Sequence, residues 1–134
     1  MTNIEKYSDN TALIGRLFLS SMFLLFGYAK ITGFAGTVGY MGSLGLPAPA
    51  LFTVLAIIIE VAGGLLMLVG YQTRLVSFGL AIYVLVSAFI GHSQLGDFDQ
   101  FEHFMKNMAI VGGSLAFVAF GGGAHTLDVR ARLE

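Results

Sequence analysis

Glu60 is the residue around which chemistry can be built in this chain. It stands inside the greasy run from Ala50 to Gly70, with about ten apolar or small residues on each side. At 1.5 Å rise per residue the carboxylate sits roughly 15 Å from either end of such a helix, near the middle of a bilayer. An acid at that depth is costly and reads as functional, with a cationic partner to be found. Arg16, Lys30 and Lys106 are the candidate partners. An unpaired buried carboxylate stays neutral, whereas a nearby cation holds it charged. Such a pair can relay protons or bind the polar head of a quinone or small acid. It can equally be an ion pair that fixes helix register. Glu60 is the candidate catalytic residue, and Arg16, Lys30, Glu60, Lys106, Asn107 and His92 are the candidate ligand-binding set.

The spacing around these residues narrows their roles. Arg16, Ser20, Phe23, Gly27 and Lys30 recur at steps of four, three, four and three, so one helical stripe carries both cations. That stripe, with its small and hydroxyl residues, resembles the inward face of a membrane helix. Arg16 is expected inside, and Lys30 either inside or reaching out to the headgroups. Gly63 and Gly64, one turn beyond Glu60, permit close backbone approach. Lys106-Asn107 is a second polar insert; Asn107, Ser114 and Gly121 are seven apart and could line the same interior groove, with interhelical hydrogen bonding as the simpler role for Asn107. His92, Asp97, Asp99, Glu102 and His103 have metal-ligand side chains, but their spacing matches no metal motif. A solvated loop with no metal is the reading there.

Composition says what must surround these groups. The 134 residues are 56% hydrophobic and 11% charged, and mean hydropathy is +0.81. Soluble domains carry about 25% charged residues, so lipid must cover this surface. Seven Lys and Arg against eight Asp and Glu leave no basic field for nucleic acid. Without cysteine the chain has no disulfide, thiolate nucleophile or iron–sulfur ligand of its own. The glycine-rich stretches lack the strand context and Lys-Ser/Thr of a phosphate loop.

The elements follow. An all-α, integral membrane four-helix bundle is predicted as one domain over residues 1–134, with spans near 11–30, 50–70, 75–92 and 100–120. Asn10 or Thr11 is the expected cap of the first span, and Asp99 with Glu102 that of the fourth. Glu5 and Asp9 beside Lys6 speak against a cleaved signal peptide, so the first span is expected to be retained. Between spans one and two, Phe34, Val38, Met41 and Leu44 fall at helical spacing and predict a short interfacial or re-entrant helix that could lie over a pocket or simply tile the bundle end. Lys6, Arg16, Arg74, Arg130 and Arg132 collect on one side against Lys30 and Lys106 on the other. This places both termini in the cytoplasm and the His92–His103 loop outside.

Several stretches carry a family resemblance. Arg16-Leu17, Phe26-Gly27-Tyr28-Ala29-Lys30-Ile31-Thr32-Gly33-Phe34, Gly45-Leu46-Pro47, Glu60-Val61-Ala62-Gly63-Gly64-Leu65-Leu66 and Thr73-Arg74 resemble the DoxX family. Lys106-Asn107, Gly112-Gly113, and Gly121-Gly122-Gly123 followed by Asp128 resemble its closing pattern. The resemblance covers nearly the whole chain. It implies four transmembrane helices in the bacterial cytoplasmic (inner) membrane and an association with redox systems, since relatives include a subunit of an archaeal thiosulfate:quinone oxidoreductase and members of thiol-redox complexes. With no cysteine, a redox role here requires a bound quinone, a haem or a redox partner protein. Three readings therefore stand: an accessory of a quinone-linked oxidoreductase, a scaffold whose charges only lock helix packing, and a small permease. The small-residue faces would also support a homo-oligomer.

Overall fold

The computed structural model describes residues 2–130. They form α1 (Asn3–Thr32), α2 (Phe34–Ser43), α3 (Pro49–Val69), α4 (Thr73–Gly91), α5 (Phe98–Phe120) and the short α6 (Leu127–Arg130). Four of them, α1, α3, α4 and α5, are long and apolar enough to cross a membrane. The architecture is all-helical, with the short α2 between the first and second spans, as the hydrophobic pattern predicts.

Helix ends differ from the sequence expectation in two places, and both have a local cause. α1 starts at Asn3 rather than Thr11 because Thr2 and Glu5 form a capping box. The Thr2 side chain accepts from the Glu5 amide, and the Thr2 amide donates to the Glu5 carboxylate. No glycine or proline then interrupts propagation up to Gly15. Asn10, expected as a cap, instead contacts the ring of His125, 3.2 Å away. α5 is capped by Asp97, whose carboxylate accepts from the Gln100 amide, so Asp99 lies inside the first turn. Gly33 breaks α1 from α2, and Gly45 at φ 78° turns the chain before Pro49 opens α3. Gly70, at φ 69°, closes α3 and permits the short link to α4.

The spans pack as two pairs, α1 with α3 and α4 with α5; α3 meets α4 less extensively and α1 meets α5 only slightly. Glycines set the closest approaches. A Cβ on Gly27 would lie 2.7 Å from Cγ2 of Val61, and one on Gly63 would lie 2.7 Å from Cδ2 of Leu80. The interior is thinly apolar. Phe23, Met67, Leu80 and Val84 form its hydrophobic layer, while Arg16, Ser20, Thr53, Glu60, Thr73, Ser77 and Ser114 are also buried. Outside, Phe18, Leu25, Leu75 and Phe120 are more than 60% exposed. A surface this apolar around a polar interior suits lipid on the outside, where the helices satisfy their own backbone hydrogen bonds.

Candidate functional site

Glu60 lies mid-way along α3, 5% exposed, on the buried stripe Thr53, Ala56, Glu60, Gly64 and Met67. The Gly27 site on α1 lets that helix come close: a Cβ there would be 3.3 Å from Cβ of Glu60. Lys30, one turn further along α1, therefore reaches back across the interface. Its Nζ donates to both carboxylate oxygens at 2.9 Å. Lys30 Nζ also sits 5.6 Å from the centre of the Phe26 ring, a cation–π arrangement on the same helix. Thus Lys30 is an inward partner of Glu60 and not a snorkelling headgroup anchor.

The third member is Tyr83 on α4, whose hydroxyl donates to Oε1 of Glu60 at 2.7 Å. Sequence reasoning missed it. The available signal was its position: tyrosine belongs to the interfacial belts of a membrane helix, yet Tyr83 is central in the 19-residue α4. Ser87 bonds back to the Tyr83 carbonyl at 2.8 Å, one turn on. Lys30, Glu60 and Tyr83 so join three spans through one carboxylate, linking the α1–α3 pair to α4.

This cluster forms part of the wall of a cavity of about 650 Å³, within the size range of small-molecule sites. Phe23 and Val84 belong both to the core layer and to the cavity lining, so the hydrophobic layer is its floor. Phe26, Phe52, Leu55 and Ile59 supply apolar wall. α2 contributes Tyr40 and Met41, and the Tyr40 hydroxyl would meet a Cβ on Gly91 at 3.2 Å. Of the two roles open to the short helix, covering a pocket or tiling the bundle end, Tyr40 and Met41 give it a part in the lining of one.

His92 and Asn107 also line the cavity, together with His103. The His92 and His103 rings stack with centroids 5.0 Å apart and planes 22° apart. His92 Nδ1 is 2.9 Å from Gln100 Oε1. Stacked ring on ring, the two imidazoles cannot take opposite axial positions on one haem iron, so a bis-histidine haem does not fit them.

Two expected partners of Glu60 are elsewhere. Arg16 is buried but bonds the carbonyls of Gly122 (3.0 Å), His125 (2.9 Å) and Leu68 (3.1 Å). It lies fourteen residues from Lys30 on α1, about 21 Å along a helix axis. The shared stripe is real, but a stripe runs the length of a helix and its ends serve different sites. Arg16 instead ties the chain after α5 to the end of α3, where Asp128 accepts from the Gln72 and Thr73 amides at 2.6 and 2.8 Å. Lys106 is exposed and pairs with Glu102 at 2.8 Å, one turn away on its own helix. A salt bridge at i,i+4 satisfied it locally. Of Asn107, Ser114 and Gly121, Asn107 lines the cavity, Ser114 is fully buried and Gly121 ends α5.

A bundle of four membrane-length helices, apolar outside and closed around a buried ion pair, defines a small multi-pass membrane protein. Residues 11–93 match the DoxX family model. The chain belongs to the DoxX family. It is 37% identical over 125 residues to "Inner membrane protein YqjF" of Escherichia coli (strain K12), covering 93% of this chain and 95% of that protein. It is 38% identical over 123 residues to "Inner membrane protein YphA" of the same organism, covering 88% of each. Over 87 residues, 65% of this chain and 63% of the relative, it is 35% identical to "Putative oxidoreductase CatD" of Bacillus subtilis (strain 168). No solved structure matches the chain.

Proposed function

We propose that this DoxX-family protein is an accessory of a quinone-linked redox system in the bacterial inner membrane, and that the Glu60 cavity holds the ring of the lipid-soluble carrier. The observation that carries the reading is one polar cluster, Lys30–Glu60–Tyr83, set in the wall of a cavity otherwise lined mainly by apolar side chains. Membrane carriers have that division, a polar head on an apolar body, and pockets with few convergent polar groups fix the head. A quinone would supply the two-electron chemistry that a cysteine-free chain lacks. Lys30 and Glu60 would hold the head and exchange hydrogen bonds with it, while Phe26, Phe52 and Leu55 would exclude water. The oxidoreductase name carried by the Bacillus relative supports a redox context. Both termini are assigned to the cytoplasm on the lysine and arginine bias. Arg132, part of that bias, lies outside the described residues.

Gentle extraction followed by mass spectrometry of bound lipid tests this. A stoichiometric quinone or quinol in wild type, depleted in a Lys30→Met/Glu60→Met double variant, is the expected result. No enrichment over a control membrane protein, with unchanged quinone reduction in a deletion strain, would overturn it.

A second reading has its own observation. Lys30 and Tyr83 engage Glu60 from two other helices, which is also how a buried ion pair fixes packing in a scaffold. Glu60→Gln separates the two. Both readings expect lower stability from the stranded lysine; the ligand-site reading alone expects altered ligand content in the fraction that folds.

A further inference from the structure

Hydrogen-bond capacity at the Lys30–Glu60 pair dictates what kind of head group fits beside it. A carboxylate offers about four lone-pair positions across its two oxygens. Lys30 takes one on each oxygen, and Tyr83 takes a second on Oε1. One acceptor position is left, on Oε2. Lys30 has three N–H donors, of which two go to Glu60. One donor is left. Both side chains line the cavity, so a ligand head meets an acceptor and a donor side by side.

A hydroxyl both donates and accepts, and uses both positions at once. A quinone carbonyl only accepts: it can take the lysine N–H but turns its lone pairs towards the carboxylate. Tyr83 already displays the favoured chemistry, a phenol O–H donating to Glu60 at 2.7 Å. Resting on the reading of the cavity as a ligand site, we infer that it selects hydroxyl-bearing heads, a phenol or quinol over the corresponding ether or quinone. In a redox system this makes the protein a holder of the reduced carrier. The ring of the ligand lies against the apolar wall of Phe26, Phe52 and Leu55, and its hydroxyl bridges Glu60 and Lys30.

The test uses the full chain in lipid nanodiscs, with empty nanodiscs subtracting partition into lipid. Four probes are compared by equilibrium binding: 4-nonylphenol against 4-nonylanisole, and decylubiquinol kept under argon against decylubiquinone. The hydroxyl member of each pair is expected to bind about tenfold tighter, a difference one well-placed hydrogen bond to a charged group can supply. The Lys30→Met/Glu60→Met double variant removes both polar partners together and is expected to bring the ratio to about one. Tyr83→Phe, which leaves Oε2 and Lys30 in place, is expected to keep the preference. Equal or tighter binding of anisole and quinone by wild type overturns the selectivity while leaving the cavity a ligand site. Failure of all four probes to bind above empty nanodiscs overturns the ligand site and the selectivity with it. The phenol–ether comparison needs only the wild-type protein, so the outcome does not hang on a variant folding.

Discussion

Lys30 Nζ stands 2.9 Å from both carboxylate oxygens of Glu60, with side-chain exposures of 22% and 6%. The pair crosses the α1–α3 interface where Gly27 lets the helices approach. Its burial has an asymmetric consequence. Removing one partner strands a charge, whereas removing both leaves an apolar gap that methionines can fill. Lys30→Met is therefore expected to cost about 3–5 kcal/mol, and Lys30→Met/Glu60→Met clearly less. Thermal unfolding in one detergent, followed by circular dichroism, measures the cycle. A double variant less stable than both singles would contradict the pairing.

Arg16 makes the opposite prediction about location. It donates to three backbone carbonyls on two segments, Leu68 on α3 and Gly122 and His125 after α5. Arg16→Lys keeps the charge, but a single ammonium cannot reproduce the planar fork. Stability should fall by about 2–4 kcal/mol, with hydrogen bonds to charged groups worth about 1.5–3 each and water replacing some. Ligand content of the Glu60 cavity in the folded fraction should match wild type. Loss of ligand at unchanged stability would place Arg16 in the cavity's chemistry after all.

Close packing at the glycines can be ranked. A Cβ at Gly27 meets Cγ2 of Val61 at 2.7 Å and the Val61 backbone nitrogen at 3.4 Å, whereas at Gly63 its three nearest atoms are Cδ2, Cγ and Cδ1 of the Leu80 side chain. A β-branched side chain cannot swing aside as a leucine tip can. Gly27→Ala is expected to destabilise by about 1–3 kcal/mol, the range for overpacking, and Gly63→Ala by less. Parallel unfolding curves for the two variants decide the order.

Topology is open to chemical labelling because the chain contains no cysteine. Ser8 and Gly96 are exposed and lie near opposite ends of the bundle. On the proposed orientation, which rests on the positive-inside bias, Gly96→Cys should react with a membrane-impermeant maleimide on intact spheroplasts, and Ser8→Cys only after lysis. The reverse pattern would invert the orientation.

Much of this protein can be read from its residues in order. Four long apolar runs, the interruption at Gly33 and the Gly45–Pro49 turn define four membrane helices and the short α2, because each depends on local hydropathy and backbone preference. Glu60 announces itself too, since a lone acid in an apolar segment is costly wherever the segment packs. Helix ends were less legible. The Thr2–Glu5 box competed with Asn10 and Thr11, and Asp97 with Asp99, and residues that resemble caps were drawn into other contacts.

Partner choice lay beyond the one-dimensional pattern. Arg16, Lys30 and Lys106 are all cations near or within apolar segments, and spacing favours Arg16 over Lys30 for an inward role, the reverse of what Glu60 meets. The depth at which α1 crosses α3, set by the contact of Gly27 with Val61, brings Lys30 to the carboxylate and leaves Arg16 about 21 Å along the same helix. The rotation of α5 turns Lys106 outward to Glu102. The register of α4 brings in Tyr83, which no motif marked. The sequence by itself determined that there would be a buried acid in a four-helix membrane bundle. Only the tertiary structure decided which cation and which hydroxyl meet it, because depth and rotation are properties of packed pairs and not of any single helix.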